Sequence, residues 1–427
     1  MSCKNTTIRI MLVVIALTTR NLFGLNAMPI PDLIVNAVYD DNIFSVQLKT
    51  VGWEFSMPVI ELGSDQQLEL RFDDLSGETR TFGYTLVHCD CDWHISGLPE
   101  SEYMTGFTGG IIRNYSQSLN TTRFYINHHL QFPEEDAIPS VSGNYAIVVY
   151  EESDPEKIVL TRRFYVSENT SGIEAVVRRP SVGLEKNTSQ QLQISVNYKS
   201  SEIRDPLSEL QTVVVQNYRY DNSMVFTKPY LSRPGRLEFT DPEGGIISGG
   251  NEFRTLDIKS TRYQTENVAR IDFRNPYYHI LLKPDGLRSD KPWFSKADLN
   301  GEYYVDRERS TDRHTEADYV YVHFSLEIPP TYAADEIYVG GAFTNWETLP
   351  GNQLKYNPDN GLFEATLLLK QGLYDYCFLM KNATTGIADE YEIEGSYYET
   401  ENDYSVFVYF KDSFNRYHRL IGFLPLK

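Results

Sequence analysis

The sequence is poor in cysteine, in long apolar runs and in positive charge, and each shortage excludes something. There are 4 Cys in 427 residues. Cys3 precedes an N-terminal apolar run, which leaves Cys89, Cys91 and Cys377, an odd number. Cys89 and Cys91 are also too close along one strand for an unstrained bridge, so the fold does not rest on disulfides. No segment beyond residue 27 approaches the run of about 20 apolar residues that a membrane-spanning helix needs, which argues against direct membrane insertion. The formal charge is −20. Nucleic acid and anionic lipid are therefore poor partners, because binding phosphate takes clustered Lys and Arg.

Catalytic patterns are missing too. There is no G-x-S-x-G elbow and no H-E-x-x-H. No motif pairs two carboxylates as acid and base. Gly244, Gly245, Gly249 and Gly250 lack the Lys-Ser/Thr of a phosphate loop and read as β-turn glycines. His128 and His129 are neighbours on a strand-like run, so they point to opposite faces and do not share a metal. The chain reads as non-enzymatic, with no cofactor.

What is present begins with Lys4 and Arg9 ahead of an apolar run from Ile10 to Leu17, with Ala27 as a small residue before a cut. Residues 1–27 read as a secretory signal peptide. Its removal takes the charge to −23, since it carries Lys4, Arg9 and Arg20 and no acid. The mature chain is rich in aromatics, 30 Tyr and 22 Phe, which suit pleated surfaces and interfaces. Short strands separated by Gly, Pro and Asp recur throughout, so the expected fold is all-β, with tandem immunoglobulin-like or early-set β-sandwich domains. Three are expected: residues 36–168, 169–313 and 316–427, with the polar stretch from Asp306 to Asp318 as linker.

The stretch "VHCDCDWH", Val87 to His94, has the composition of a metal site. Read as a strand, it divides its ligands between two faces, with Val87, Cys89, Cys91 and Trp93 on one and His88, Asp90, Asp92 and His94 on the other. The first set suits a hydrophobic core, and C-x-C without a second pair is not a zinc spacing. No metal is expected. The stretch from Ser96 to Thr121 reads as a long loop, a candidate interaction surface.

In the last segment Gly341, Phe343 and Trp346, then Gly361, Phe363 and Glu364, then Gly372, Tyr374, Tyr376 and Phe378 resemble the early-set sandwiches related to glycogen-binding domains. The sugar-binding forms carry a tryptophan where this chain has Phe363. The whole mature chain resembles the type IX secretion system plug protein family of Bacteroidota, through "VYDDNIFSVQL", "SMPVIELGSDQQLELRFDDL", "YTLVHCDCDW" with "SEYMTGF" after it, "SGNYAIVVYEESDPEKIVLTRRF", "GGNEFRTLDI" and "ADYVYVHFSL". "HCDCDW" then resembles a family hallmark, H-C-D-x-D-W, with Cys91 at its variable place. The resemblance implies a periplasmic protein, monomeric when free, that binds the large outer-membrane β-barrel translocon and closes its periplasmic mouth. Expected contact residues are Trp53, Trp93, Tyr103 and Phe107. The alternative is a carbohydrate-binding protein of the cell surface or medium, with Trp346 stacking on a sugar.

Overall fold

The computed structural model describes residues 29–181, 183–199, 202–239, 244–382, 384–411 and 416–427. The signal-peptide expectation lies outside them. The fold is all-β, as expected, and no helix among the described residues is long and apolar enough to cross a membrane.

The first sandwich comprises β1 (Ile43–Thr50), β2 (Leu68–Asp74), β3 (Phe82–Cys89), β4 (Met104–Gly106), β5 (Gly109–Ile112), β6 (Asn114–Gln117), β7 (Ile126–Phe132), β8 (Ala137–Pro139), β9 (Gly143–Glu151) and β10 (Asp154–Ser167). One sheet runs β10-β9-β3-β5 and the facing sheet β1-β2-β7-β6, while β4 and β8 form a small ribbon. Alternate residues fill the space between the sheets: Leu68, Leu70 and Phe72 from one, Phe82, Tyr84, Leu86, Tyr145, Ile147 and Phe164 from the other.

The second sandwich is built from β11 (Gly172–Arg178), β12 (Ser189–Asn197), β13 (Leu210–Gln216), β14 (Arg219–Phe226) and β15 (Arg236–Phe239). The third contains β16 (Arg254–Asp257), β17 (Val268–Arg274), β18 (Tyr277–Leu282), β19 (Tyr319–Glu327), β20 (Glu336–Gly340), β21 (Gln353–Asn357), β22 (Leu362–Lys370) and β23 (Gly372–Lys381). The chain ends with β24 (Tyr404–Lys411) and β25 (His418–Leu426).

The sheets do not divide where the sequence reading divided the chain. β24 and β25, expected in the third sandwich, join β14 and β13 in the order β14-β13-β24-β25. β16 and β18, expected in the middle body, pair with β23 and β19 of the third. The reason lies in "YSVFVYF", which is apolar on both faces. Val406, Val408 and Phe410 fill the second sandwich, while Phe407 and Tyr409 face the first. A strand buried on both sides belongs in the middle of a stack.

That stack has four layers, because the β10-β9-β3 face of the first sandwich lies on the β13-β24-β25 face of the second. Ile34, Cys89, Ala146 and Tyr165 meet Val215, Phe407, Tyr409 and Leu420 across it. Tyr165 and Phe407 stack with ring centroids 4.2 Å apart. The third sandwich meets the other sheet of the first through a buried ion pair, Lys370 Nζ to Asp73 Oδ2 at 2.6 Å, with the Tyr319 hydroxyl donating to the same oxygen at 2.7 Å. The expected linker 306–318 is a packed connector: the Tyr125 hydroxyl donates to Ala317 O, Lys370 to His314 O, and Arg313 to Glu54.

Candidate interaction surface

The H-C-D-x-D-W segment is not a strand to its end. β3 stops at Cys89 and the chain turns, with Trp93 at φ +69°. Asp90 pins the turn, its Oδ1 accepting from the backbone N–H of Asp92 at 2.9 Å and of His94 at 3.1 Å. Burial alternates toward the end of the segment, with Asp92 and His94 exposed and Asp90 half-buried, but His88 is interior as well. Cys89, Cys91 and Trp93 enter the layer between the two sandwiches. His88 points into the first sandwich, where its ring meets Tyr145 edge-on at 4.9 Å and burial lowers its pKa to about 4. Burial pushes the Cys89 and Cys91 thiols up to about 12, so they stay protonated and are poor metal ligands. Among the described residues no group of three His, Cys, Asp or Glu is placed to hold a metal ion.

Two of the four expected contact residues are interior, which corrects the sequence reading. Trp93 is buried under the Arg163 guanidinium, 4.5 Å from its ring, and packs edge-on against Tyr165 at 5.1 Å. Tyr103 is buried in the first core and its carbonyl accepts from the Tyr145 hydroxyl. Trp53 and Phe107 are the opposite, 68% and 69% exposed.

Nor is the stretch 96–121 one loop. It holds a single helical turn, Glu100–Tyr103, and strands β4, β5 and β6. "MTGFTGG" explains the path. Gly106 has φ +86°, and a Cβ there would run into Asp136 O, while a Cβ on Gly109 would run into Tyr84 O. Glycine lets this segment lie against β8 and then β3. A single residue, Arg113, separates β5, at the edge of one sheet, from β6, at the edge of the other, so one piece of chain closes the flank of the whole sandwich.

This flank concentrates exposed apolar side chains: Phe107, Ile111, Tyr115, Leu119, Phe124 and Ile138 are all exposed. Ile111, Tyr115 and Ile138 escaped the sequence reading, which treated the region as loop. The signal was the alternation Ile111, Arg113, Tyr115, Gln117 after the paired glycines. Such a concentration of exposed apolar side chains along a sheet edge makes the flank a candidate interaction surface. Beside it, Glu134, Glu135 and Asp136 are exposed and make no ion pair among the described residues.

Trp346 lies elsewhere, half-buried in a cleft of about 430 Å³ where the three sandwiches meet, with Tyr218, Tyr220, Tyr303, Arg162 and Glu302. Arg219 sits 4.2 Å over its ring, and a Cβ on Gly301 would approach it to 2.6 Å. The ring is engaged in joining the second and third sandwiches. Phe363, at the place of the second sugar-stacking tryptophan, is core.

Residues 43–168 match the family described as type 9 secretion system plug protein, first domain. A hypothetical protein from Parabacteroides merdae ATCC 43184, known as a crystal structure, is similar along almost all of both chains, with 33% identity, 92% of this chain and 99% of that one covered, and a TM-score of 0.88. No curated protein matches. The family match falls on the sandwich that carries the exposed flank, and it assigns the chain a role in type IX secretion and hence a place in the cell envelope. The chain belongs to the type 9 secretion system plug protein family.

Proposed function

We propose that this protein is a periplasmic, non-enzymatic plug that binds the large outer-membrane β-barrel translocon of the type IX system and occludes its periplasmic opening. The observation that carries this reading is the exposed apolar flank around Phe107, Ile111 and Tyr115, which lies within the family-matched sandwich. Closing a pore takes rigid shape and contact area rather than chemistry. Four stacked sheets tied to a third sandwich by a buried ion pair supply the shape, and the flank supplies the contact area. Phe107 is the first contact residue and Trp53 the second, while Trp93 and Tyr103 act by holding the sandwich together.

The test is affinity purification of the tagged chain from detergent-solubilised outer membranes of its own organism, followed by mass spectrometry. One giant barrel protein at near-equal amount supports the reading. A chain that stays alone in the soluble fraction overturns it.

A further inference from the structure

The free flank has a backbone as well as side chains. The Leu86 N–H bonds Thr108 O, and the Ser118 N–H bonds Tyr125 O. With the antiparallel registers Gly110 to Tyr84, Ile112 to Phe82, Ser116 to Asn127 and Asn114 to His129, the even-numbered residues turn their backbone groups toward β3 and β7. Those of Ile111, Tyr115 and Gln117 therefore point away from the sandwich. Among the described residues β5 and β6 pair with no strand besides β3 and β7, and all four residues of β6 are exposed. Further along the same edge, the outward Leu119 N–H donates to Thr315 O, which shows that groups in this series can bond when a partner is near.

Natural sheets usually guard such an edge with Pro, inward charge or a covering element. This edge has a single charged side chain, Arg113, set between the exposed Ile111 and Tyr115, with Phe107 and Ile138 beside it. The adjoining turn holds Glu134, Glu135 and Asp136. It is fixed to the flank by the Phe107 N–H on Asp136 O at 2.6 Å and by the Tyr84 hydroxyl on Glu134.

Resting on the plug reading, we infer that the β5–β6 edge binds its partner by strand addition, and that the added strand is a segment of the translocon with apolar residues in alternation and Lys or Arg at its end. Main-chain bonds to Ile111, Tyr115 and Gln117 supply affinity, and the apolar side chains beside the edge supply selectivity. Charge selects a foreign segment over a second copy of this chain. Two such edges paired about a two-fold axis would bring together flanks on which three carboxylates outnumber Arg113, on strongly acidic molecules of −20 over the full sequence, whereas a basic segment meets Glu134, Glu135 and Asp136, which make no ion pair among the described residues.

Proline at an outward position tests this. It removes the outward N–H and leaves the bonds to β7 intact, a substitution that edge strands tolerate. Tyr115→Pro/Gln117→Pro is compared with Tyr115→Ala/Gln117→Ala, which removes the same side chains and keeps both N–H groups. Binding to the detergent-solubilised translocon and the thermal midpoint are measured for each. The expected result is an affinity about tenfold lower for the proline variant than for the alanine variant at similar midpoints, with a further loss in Glu134→Gln/Glu135→Gln/Asp136→Asn that disappears at high salt. Equal affinities of the folded proline and alanine variants overturn strand addition and leave the plug reading standing. Failure of the wild-type chain to bind the barrel overturns both. A wild-type dimer that the proline variant dissolves gives the edge to a second copy and overturns the foreign strand.

Discussion

Residues 87–93 and residues 107–117 are near neighbours in sequence and similar in appetite for burial, yet they end in opposite environments. Cys89, Cys91 and Trp93 lie between two sandwiches, whereas Phe107, Ile111 and Tyr115 stay in water. Residue type does not separate them, since both segments are apolar and aromatic in alternation. Position in the sheet does. β3 is an inner strand of a sheet with a second sandwich on its outer face, while β5 and β6 are edge strands with no further strand paired to them among the described residues. An apolar residue on an inner strand is satisfied within the chain. On an edge strand an outward residue such as Ile111 stays exposed, while Ile112 beside it is buried.

The strongest way to break this contrast is to open the interior side. Asp73 and Lys370 are both fully buried at the joint between the first and third sandwiches. Asp73→Leu leaves the ammonium group against the Tyr125 and Tyr319 rings and the His314 carbonyl, with Asp312 as a weaker charge partner opposed by Arg71, and the expected loss is about 3–5 kcal/mol in urea unfolding. Adding Lys370→Met should restore much of it, since an apolar pair of similar volume replaces a desolvated ion pair. A double variant as weak as the single one would mean that the surrounding hydrogen bonds, not the charges, hold the joint.

Trp93→Ala comes next, with an expected loss of about 3 kcal/mol from the cavity left beside Tyr165 and Tyr220. Barrel binding by the fraction that remains folded should not change. Weakened binding at unchanged stability would return Trp93 to the contact surface.

An effect of similar total size depends on pH. His128 is stacked on Phe72, with ring centroids 5.0 Å apart, and neither ring nitrogen has a hydrogen-bond partner among the described residues. Burial holds its pKa at about 4 against the free value of 6.5, opposed by Asp74 and aided by Arg80. The unfolded chain therefore binds the extra proton between those values. Stability is lost as pH falls from about 6.5 to about 4, by about 1.4 kcal/mol per unit from this residue. His128→Phe keeps the stacking and removes the loss, so its advantage over wild type should grow as the pH falls. Parallel stability curves for the two proteins would show that His128 titrates normally.

The all-β class and the core role of the Cys89 face were legible because each rests on local pattern, whereas Gly244–Gly250, read as a turn, holds the short strand Ile246–Ser248. The period of two in "VYVHFSL" carries such a pattern within a few residues. The partition into sandwiches was not legible. Whether "YSVFVYF" pairs with β23 or with β13 depends on a distant strand, and both choices satisfy its alternation. The flank was half legible. Phe107 stood out as an aromatic among glycines, but Ile111 and Tyr115 are exposed only because the chain changes sheets at Arg113, which no short window reveals.

The smallest expected change in stability tests the other half of the contrast. Phe107→Ser/Ile111→Ser removes two side chains that are 69% and 42% exposed. About a third of Phe107 and over half of Ile111 are buried, so urea unfolding should show a loss of about 1 kcal/mol. Solubility should rise, because an apolar patch is interrupted. If the edge is reserved for a partner, the same variant loses barrel binding while its fold is untouched, the reverse of the pattern expected for Trp93→Ala. A stability loss above about 2 kcal/mol would mean that Phe107 and Ile111 hold the β4–β8 ribbon to the sandwich. Inner strand and edge strand would then differ in exposure only, not in what they are for.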